Sequence, residues 1–153
     1  MPRIAIGSDH AGFALKQELV AHLENAGHQV DDLGTHSTDS VDYPEFGARV
    51  GRAVVAGEAD FGVCVCGSGI GIGIAANKVA GVRAATVHDA TSARFARQHN
   101  DANVACFGAR FIGSQVATDA VDAFLAASFE GGRHQRRVDQ INELDRATAG
   151  ERA

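Results

Sequence analysis

The chain is poor in the residues that cross-link small secreted proteins or keep a chain disordered. It has three cysteines, two prolines, one tyrosine, one methionine and no tryptophan among 153 residues. An odd cysteine count provides no disulfide framework, so we expect a reducing, cytoplasmic location. The first residues enter a strand pattern directly, without the layout of a signal peptide, so we expect no secretion signal.

Long apolar runs and an excess of positive charge are also missing. No apolar run approaches the roughly 18 residues that a membrane helix needs, and the formal net charge is -5 at pH 7. A negative chain is unsuited to general binding of nucleic acids or anionic membranes. We therefore expect neither partner, and an anionic ligand would need a local basic cluster.

Strand and helix patterns alternate from one end of the chain to the other. Short apolar runs predict five strands, and amphipathic stretches between them predict helices. The predicted strands are 3–7, 29–33, 60–65, 82–87 and 104–107. The predicted helices are 11–26, 42–57, a glycine-led helix ending near 79, 89–99, 114–129 and 133–146. We expect Asp42, Asp89 and Ser114 to cap three of them.

This alternation predicts a parallel sheet built from right-handed β-α-β units. We expect a single-domain α/β fold, a three-layer α/β/α sandwich over residues 1–147, followed by a frayed tail over residues 148–153. The predicted five-stranded sheet has the flavodoxin-like order 2-1-3-4-5, and a C-terminal helix follows it. In that order the turns after strands one and three meet at the switch point, where ligands bind.

The segment FGVCVCGSGIG at 61–71 is the most informative part of the chain. An apolar strand leads into a glycine-rich turn and then a helix, whose first N–H groups have no partner within it. Gly67, Gly69 and Gly71 allow close backbone approach, so the turn suits an anion or a developing oxyanion. Cys66 stands at the mouth of the turn, where the helix dipole favours a thiolate. The segment lacks the spacing of a dinucleotide fingerprint and the ending of a P-loop.

Cys66 has two other interpretations besides base or nucleophile. A free cysteine is commonly a small buried apolar residue, which is what we expect of Cys64 and Cys106. Cys64 and Cys66 could also form a redox pair, although about 6 to 7 Å along an extended strand is poor for a disulfide. Cys66 differs from the other two because it ends its strand.

Titratable residues follow or close several of the predicted elements. Asp9 and His10 follow strand one, where they could cap a helix or take part in chemistry beside Cys66. His99 and Asn100 close the fourth predicted helix. The helix dipole alone could explain His99, but we expect it at the same sheet edge as Asp9 and Cys66, which makes it a candidate for proton transfer.

A basic cluster lies at the start of the last predicted helix. Arg133 and Arg137 are four residues apart and share one face. Basic groups in a first turn oppose the macrodipole, which indicates a compensating anion such as phosphate, with a solvated basic patch as the alternative. Arg110 could be a further anion contact or an ordinary surface residue. The histidines elsewhere show no metal-ligand spacing, so we expect no metal site.

Six motifs, in order, resemble the type B ribose-5-phosphate isomerases, of the family that includes the galactose-6-phosphate isomerase subunits. They are GSDHAG at 7–12, DYP at 42–44, CGSGIG at 66–71, AANK at 75–78, RQHN at 97–100 and GGRHQRR at 131–137. The resemblance runs from residue 4 to about residue 144. One branch of this family replaces the cysteine with a glutamate further into the turn. Here Cys66 is present and Ile72 occupies that place, so the chain resembles the cysteine branch.

The resemblance implies an aldose–ketose isomerase without a cofactor, acting on ribose 5-phosphate and ribulose 5-phosphate through an enediolate. The residue matching Cys66 takes the proton from C2, and the residue matching His99 opens the sugar ring with help from Asp9. The turn matching Gly67, Ser68, Gly69, Ile70 and Gly71 holds the enediolate, and Ser68 keeps the hydroxyl of a threonine common there. The implied substrate contacts, mostly to phosphate, are His10, Asn100, Arg110, Arg133 and Arg137.

The resemblance also implies a site built between two subunits, and hence a homodimer or a dimer of dimers. Alternatives in the same chemistry are allose 6-phosphate, galactose 6-phosphate and a tetrose phosphate as substrate. A non-catalytic flavodoxin-like nucleotide-binding module is a more distant alternative, and it leaves Cys66 and His99 unexplained. A phospho-acceptor receiver domain is disfavoured because strand three ends in cysteine rather than aspartate.

Overall fold

The computed structural model describes residues 1–152 and has five strands and six helices in that range. The strands are β1 Arg3–Ser8, β2 Gln29–Asp32, β3 Phe61–Cys66, β4 Ala84–Thr86 and β5 Val104–Gly108. The helices are α1 Phe13–Asn25, α2 Tyr43–Val55, α3 Ile70–Asn77, α4 Ala90–Asn100, α5 Ser114–Ala126 and α6 Arg133–Arg152.

All five strands form one parallel sheet in the order β2-β1-β3-β5-β4. The predicted fold class is confirmed, but the predicted order 2-1-3-4-5 is wrong in its last two strands. β5 lies in the interior beside β3 because all five of its residues are buried. β4 takes the edge because it has three residues, none of them fully buried, and offers less apolar surface.

Helices cover both faces of the sheet, which gives the predicted three layers. On one face the apolar sides of α1, α4 and α5 pack against the sheet around Leu19, Phe107 and Phe124. On the other face α2 and α3 pack around Phe46, Val50 and Ile72. The core therefore has two layers, one on each face of the sheet. The loops meet at the two ends of the strands, which the helices do not cover.

Of the three predicted helix caps, only Asp89 makes a capping hydrogen bond with its side chain. Asp89 caps α4 as predicted, with its carboxylate accepting from Ser92 N at 2.6 Å. Asp42 occupies the N-cap of α2 but makes no side-chain capping bond there. Gly113, and not Ser114, is the N-cap of α5. α6 continues to Arg152, beyond its predicted end; fraying of residues 148–153 stays a prediction, and Ala153 lies outside the described residues.

A buried ion pair fastens α1 to the end of β2. The Lys16 ammonium is fully buried and lies 2.6 Å from both carboxylate oxygens of Asp32. Asp32 also accepts from Gly34 N at 3.0 Å, and Gly34 O in turn accepts from Ser8 N at 2.7 Å. This network therefore supports the chain just before Asp9.

The parallel topology divides the loops between two edges of the sheet. Loops that follow strands lie at the carboxyl edge, and the helices α1 to α5 run back so that their last turns lie at the amino edge, where α6 begins. Asp9 and Cys66 directly follow or end β1 and β3, whose ends are paired through Ser8 and Val65. None of the helices in the described part of the chain is long and apolar enough to span a bilayer.

Candidate active site

A cleft of about 360 Å³ opens at the carboxyl edge, at the switch point between β1 and β3. This volume is at the lower end of the range for small-molecule sites. We call it the carboxyl-edge cleft, and its lining residues are Asp9, His10, Ala11, Tyr43, Cys66, Gly67, Ser68, Gly71, Arg110 and Phe111. The structure therefore brings together the two motifs that the sequence predicted to meet.

Cys66 is the last residue of β3, and its side chain is 4% exposed. Its sulfur accepts a hydrogen bond from Gly69 N at 3.1 Å, an interaction that stabilises negative charge on the sulfur. Gly69 can offer its N–H in this direction because it adopts a left-handed conformation, with φ of 74°. Cys66 thus combines an accessible cleft position with a fixed donor.

The glycine turn is braced from behind by β4 and β5. Thr86 Oγ1 donates to Gly69 O at 2.9 Å. A Cβ atom at Gly108 would lie 2.5 Å from Ser68 O and 2.6 Å from Ser68 C. Only glycine at 108 lets the turn sit this close to β5, which holds the first N–H groups of α3 toward the cleft.

Asp9 and His10 enter the cleft from the loop after β1. Asp9 is buried and accepts from Gly12 N at 3.0 Å, so it orders the start of α1 as well as lining the cleft. His10 Nδ1 lies 3.2 Å from Val41 N and 3.3 Å from Val41 O, so the backbone of Val41 orients the ring, and the tautomer decides which of the two contacts is a hydrogen bond.

Arg110 supplies a cation to the cleft, as the sequence analysis considered. Its backbone N donates to Gly67 O at 2.9 Å, and its guanidinium lies over Gly67. Three lining residues, Ala11, Tyr43 and Phe111, were not proposed as site residues from the sequence. Tyr43 belongs to the DYP motif at 42–44, and that motif was the available signal.

Cys64 and Cys106 are core residues, as expected. Both are fully buried and face each other across β3 and β5. The hydrogen bond with Cys106, together with burial, raises the pKa of the Cys64 thiol well above its ordinary value. Cys64 is therefore a protonated packing residue, whereas Cys66 alone of the three lines the cleft.

His99 does not lie at the edge that the sequence analysis assigned to it. It stands in the last turn of α4, just before the start of β5, and so at the amino edge of the sheet. The length of β5 separates it from Cys66 by on the order of 15 Å. The expectation of a shared edge was wrong because a helix that returns to the next parallel strand ends at the opposite edge.

The other predicted substrate contacts accompany His99 at the amino edge. None of His99, Asn100, Arg133 and Arg137 is among the described residues that line the carboxyl-edge cleft. Asn100 lines a second cavity of about 420 Å³ beside α6. We call His99, Asn100, Arg133, His134 and Arg137 the amino-edge cluster.

Positive charge accumulates in the amino-edge cluster. The His99 and His134 rings stack with centroids 4.5 Å apart, and Phe95 stacks on the other side of His99 at 4.7 Å. Burial, followed by the charges of His99 and Arg133, lowers the pKa of His134. An anion would relieve this repulsion, so the cluster favours a phosphate-like ligand.

The chain belongs to the ribose/galactose isomerase family, whose model matches residues 4–141.

Individual members of that family match over nearly the whole chain. Ribose-5-phosphate isomerase B of Escherichia coli K12 is 50% identical over 145 residues, covering 95% of this chain and 97% of that protein. The structure of ribose-5-phosphate isomerase B from Clostridium thermocellum matches with a TM-score of 0.94 at 49% identity, covering 95% of this chain and 99% of the other. The structure of the Mycoplasma genitalium enzyme with bound ribulose-5-phosphate matches with a TM-score of 0.90 at 44% identity, covering 94% and 96%.

Proposed function

We propose that this chain interconverts ribose 5-phosphate and ribulose 5-phosphate through an enediolate, with Cys66 as the base. The observation that carries the proposal is the Cys66 sulfur, which lines the carboxyl-edge cleft and accepts from Gly69 N at 3.1 Å. The family and the relatives named ribose-5-phosphate isomerase B support the choice of reaction and substrate.

The chemistry needs a base next to the α-carbon of the open-chain sugar. The Cys66 thiolate removes the proton from C2, and the electron pair moves toward O1 to form the enediolate. The O2 hydroxyl proton passes to O1, and the Cys66 thiol returns its proton to C1, which completes the ketose and restores the thiolate. A positioned base typically contributes about 10²- to 10⁴-fold to such a rate.

The glycine turn then stabilises the charge that develops on the enediolate. The N–H groups of the first turn of α3 from Gly71 onward have no partner within that helix and carry the positive end of its dipole. Ser68 Oγ accepts from Ile70 N at 3.2 Å, which shapes the turn. Loss of one oxyanion donor typically costs around 10²- to 10³-fold in rate.

We assign the phosphate of the substrate to groups from both edges of the sheet. His10 and Arg110 line the cleft, and Arg133 and Arg137 belong to the amino-edge cluster. Since the sheet separates the two groups within one chain, a second copy must supply the amino-edge cluster to the cleft. We therefore propose a homodimer, or a dimer of dimers, with sites between subunits.

Exposed apolar side chains support contacts between copies near both half-sites. Ile70 and Ile74, which are 51% and 58% exposed, share one face of α3 directly after the glycine turn. Phe111 beside the cleft is 60% exposed, and Phe95 beside His99 is 44% exposed. In the assembled site His99 of one copy opens the sugar ring, Asp9 of the other assists it, and Asn100 contacts the sugar.

The reaction assay uses purified protein with ribose 5-phosphate and follows the appearance of ribulose 5-phosphate. We expect turnover by the parent and a loss of at least about 10²-fold in Cys66→Ala. Cys106→Ala is the matched control, because it removes a thiol from the same face of the core without reaching the cleft. Equal activity of the two variants would contradict the assignment of Cys66.

Substrate choice is tested with the same preparation. The parent protein could be inactive on ribose 5-phosphate and still convert allose 6-phosphate, galactose 6-phosphate or a tetrose phosphate. That result would contradict ribose 5-phosphate as the substrate and support the isomerase chemistry.

We also infer a cytoplasmic location, since the three unpaired cysteines suit a reducing compartment.

A further inference from the structure

We propose that His99, Glu130 and His134 form a binding site for a zinc-type divalent metal ion, whose binding inhibits the isomerase. The site itself stands on the structure alone. The inhibitory effect rests on the proposed function, in which His99 moves a proton during ring opening.

The donor atoms of the three side chains are already close together. One ring nitrogen from each histidine and one Glu130 carboxylate oxygen lie within 4.8 Å of one another. Glu130 Oε2 is 4.0 Å from His134 Nε2, and the two imidazole rings stack at 4.5 Å. The donors are therefore close enough to share one ion once Glu130 moves inward and one imidazole ring tilts out of the stack.

The backbone places these residues together independently of any ligand. Glu130 N donates to Gln98 O at 3.0 Å, which joins the loop before α6 to the end of α4. His134 N donates to Gly131 O at 3.0 Å, which sets the first turn of α6. The end of α4 and the start of α6 are thus held together by backbone hydrogen bonds, so little backbone entropy would be lost when a metal ion binds.

Two imidazoles and one carboxylate are a donor set that zinc accepts, with water in the fourth position. Magnesium and calcium prefer oxygen donors alone, so they fit this set poorly. Tetrahedral zinc needs donor atoms about 3.3 Å apart. The half-exposed Glu130 can rotate inward, and one ring must tilt out of the stack.

Local charge makes Glu130 the decisive ligand. Arg133 and Arg137 are near enough to lower the pKa of His134, and the same positive charge would oppose the binding of a metal cation. The Glu130 carboxylate counters them, so its neutralisation should weaken metal binding more than the loss of one ligand in a neutral setting. The linear spacing of the histidines gave no indication of this site, because the fold alone brings His99, at the end of α4, beside Glu130 and His134, at the start of α6.

In this proposal the ion binds the same ring nitrogen of His99 that exchanges a proton during ring opening. A coordinated lone pair cannot accept that proton, so ring opening stops while the Cys66 half of the site stays intact. Inhibition should therefore follow occupancy of the metal site.

The first experiment titrates Co²⁺ into the purified full-length protein and follows visible absorption, with Zn²⁺ as competitor. We expect one ion per chain, a tetrahedral-type spectrum and no thiolate-to-metal charge-transfer band. Glu130→Gln should weaken binding by at least about tenfold. Glu143→Gln is the matched control, because it removes an exposed carboxylate from α6 that pairs with Arg146; its affinity should equal that of the parent.

The second experiment measures isomerisation at increasing Zn²⁺. Glu130→Gln should keep the metal-free rate and need at least about tenfold more Zn²⁺ for half inhibition. A thiolate charge-transfer band would place the ion on Cys66 and overturn the proposal, as would equal cobalt affinity in Glu130→Gln and the parent. Because the spectrum does not depend on turnover, a loaded site in a protein that isomerises no sugar phosphate would support the metal site and contradict the proposed function.

Discussion

At the scale of single residues, the closeness of Ser68 to Gly108 decides where the proposed oxyanion site lies. We predict that Gly108→Ala lowers turnover by about 10²-fold, because its Cβ would displace the Ser68 backbone and misplacement by about 1 Å has effects of that size. Steady-state kinetics with ribose 5-phosphate measure the effect. Gly113→Ala is the control, since a Cβ there meets nothing within 4 Å. Equal turnover in the two variants would contradict the proposal that the glycine turn stabilises the enediolate.

The residues of the carboxyl-edge cleft were largely predictable from sequence. Asp9, His10 and Cys66 follow or end apolar runs, and parallel strands bring such positions to one edge. His99 was not predictable in the same way, because its edge depends on the direction of α4 relative to the sheet. Tyr43 was missed because its place on the first turn of α2 has no periodic signature.

At the scale of elements, the Lys16–Asp32 pair should stabilise the junction of α1 and β2 asymmetrically. Asp32→Asn leaves a fully buried ammonium without its counter-ion, which should cost about 3–5 kcal/mol in the free energy of unfolding. Lys16→Met leaves a carboxylate that is 30% exposed and still accepts from Gly34 N. Its cost should be smaller, about 1–3 kcal/mol. Urea unfolding of both variants measures the difference, and the reverse order would contradict this account.

The stability that Asp89 contributes through the capping box of α4 should depend on pH. The backbone N–H of Ser92 holds the pKa of Asp89 below its ordinary value. This stabilisation is therefore fully present above about pH 4 and is lost as the pH falls through the folded-state pKa. We predict that Asp89→Ala lowers the Tm at pH 7 and that the difference from the parent narrows in acid. Asp89→Asn, an uncharged cap, removes the same titrating group, so its difference from the parent should change over the same pH range; pH-independent differences in both variants would exclude the carboxylate as the cause.

The local sequence pattern identified the strands and helices, but it did not identify which strands are neighbours in the sheet. The apolar runs of β1, β3 and β5 were clear from sequence, and their helices followed at the expected spacing. The order of β4 and β5 depends on which strand offers more buried surface to β3, a competition between segments that no single segment reveals. The predicted strand 82–87 did not indicate an edge strand, because only the structure shows that β4 is limited to three residues, AAT.

At the scale of the whole molecule, the chain carries two half-sites on opposite edges of its sheet. Cys66 and the glycine turn lie at the carboxyl edge, whereas His99 and the paired arginines lie at the amino edge. We propose that each copy supplies its amino-edge cluster to the carboxyl-edge cleft of the other, and that this completes a sugar-phosphate isomerase. Sequence alone suggested such an assembly only through the family resemblance, because composition and periodicity do not encode which edge faces a partner.

Complementation between two inactive variants tests that claim most directly. Cys66→Ala and His99→Asn are unfolded and refolded together, and ribose 5-phosphate isomerisation is compared with each variant refolded alone. Random pairing into dimers leaves one intact site in half of the dimers, so the mixture should regain about one quarter of the parent rate. A mixture no more active than the separate variants, although it forms mixed dimers, would show that Cys66 and His99 do not meet across a subunit boundary.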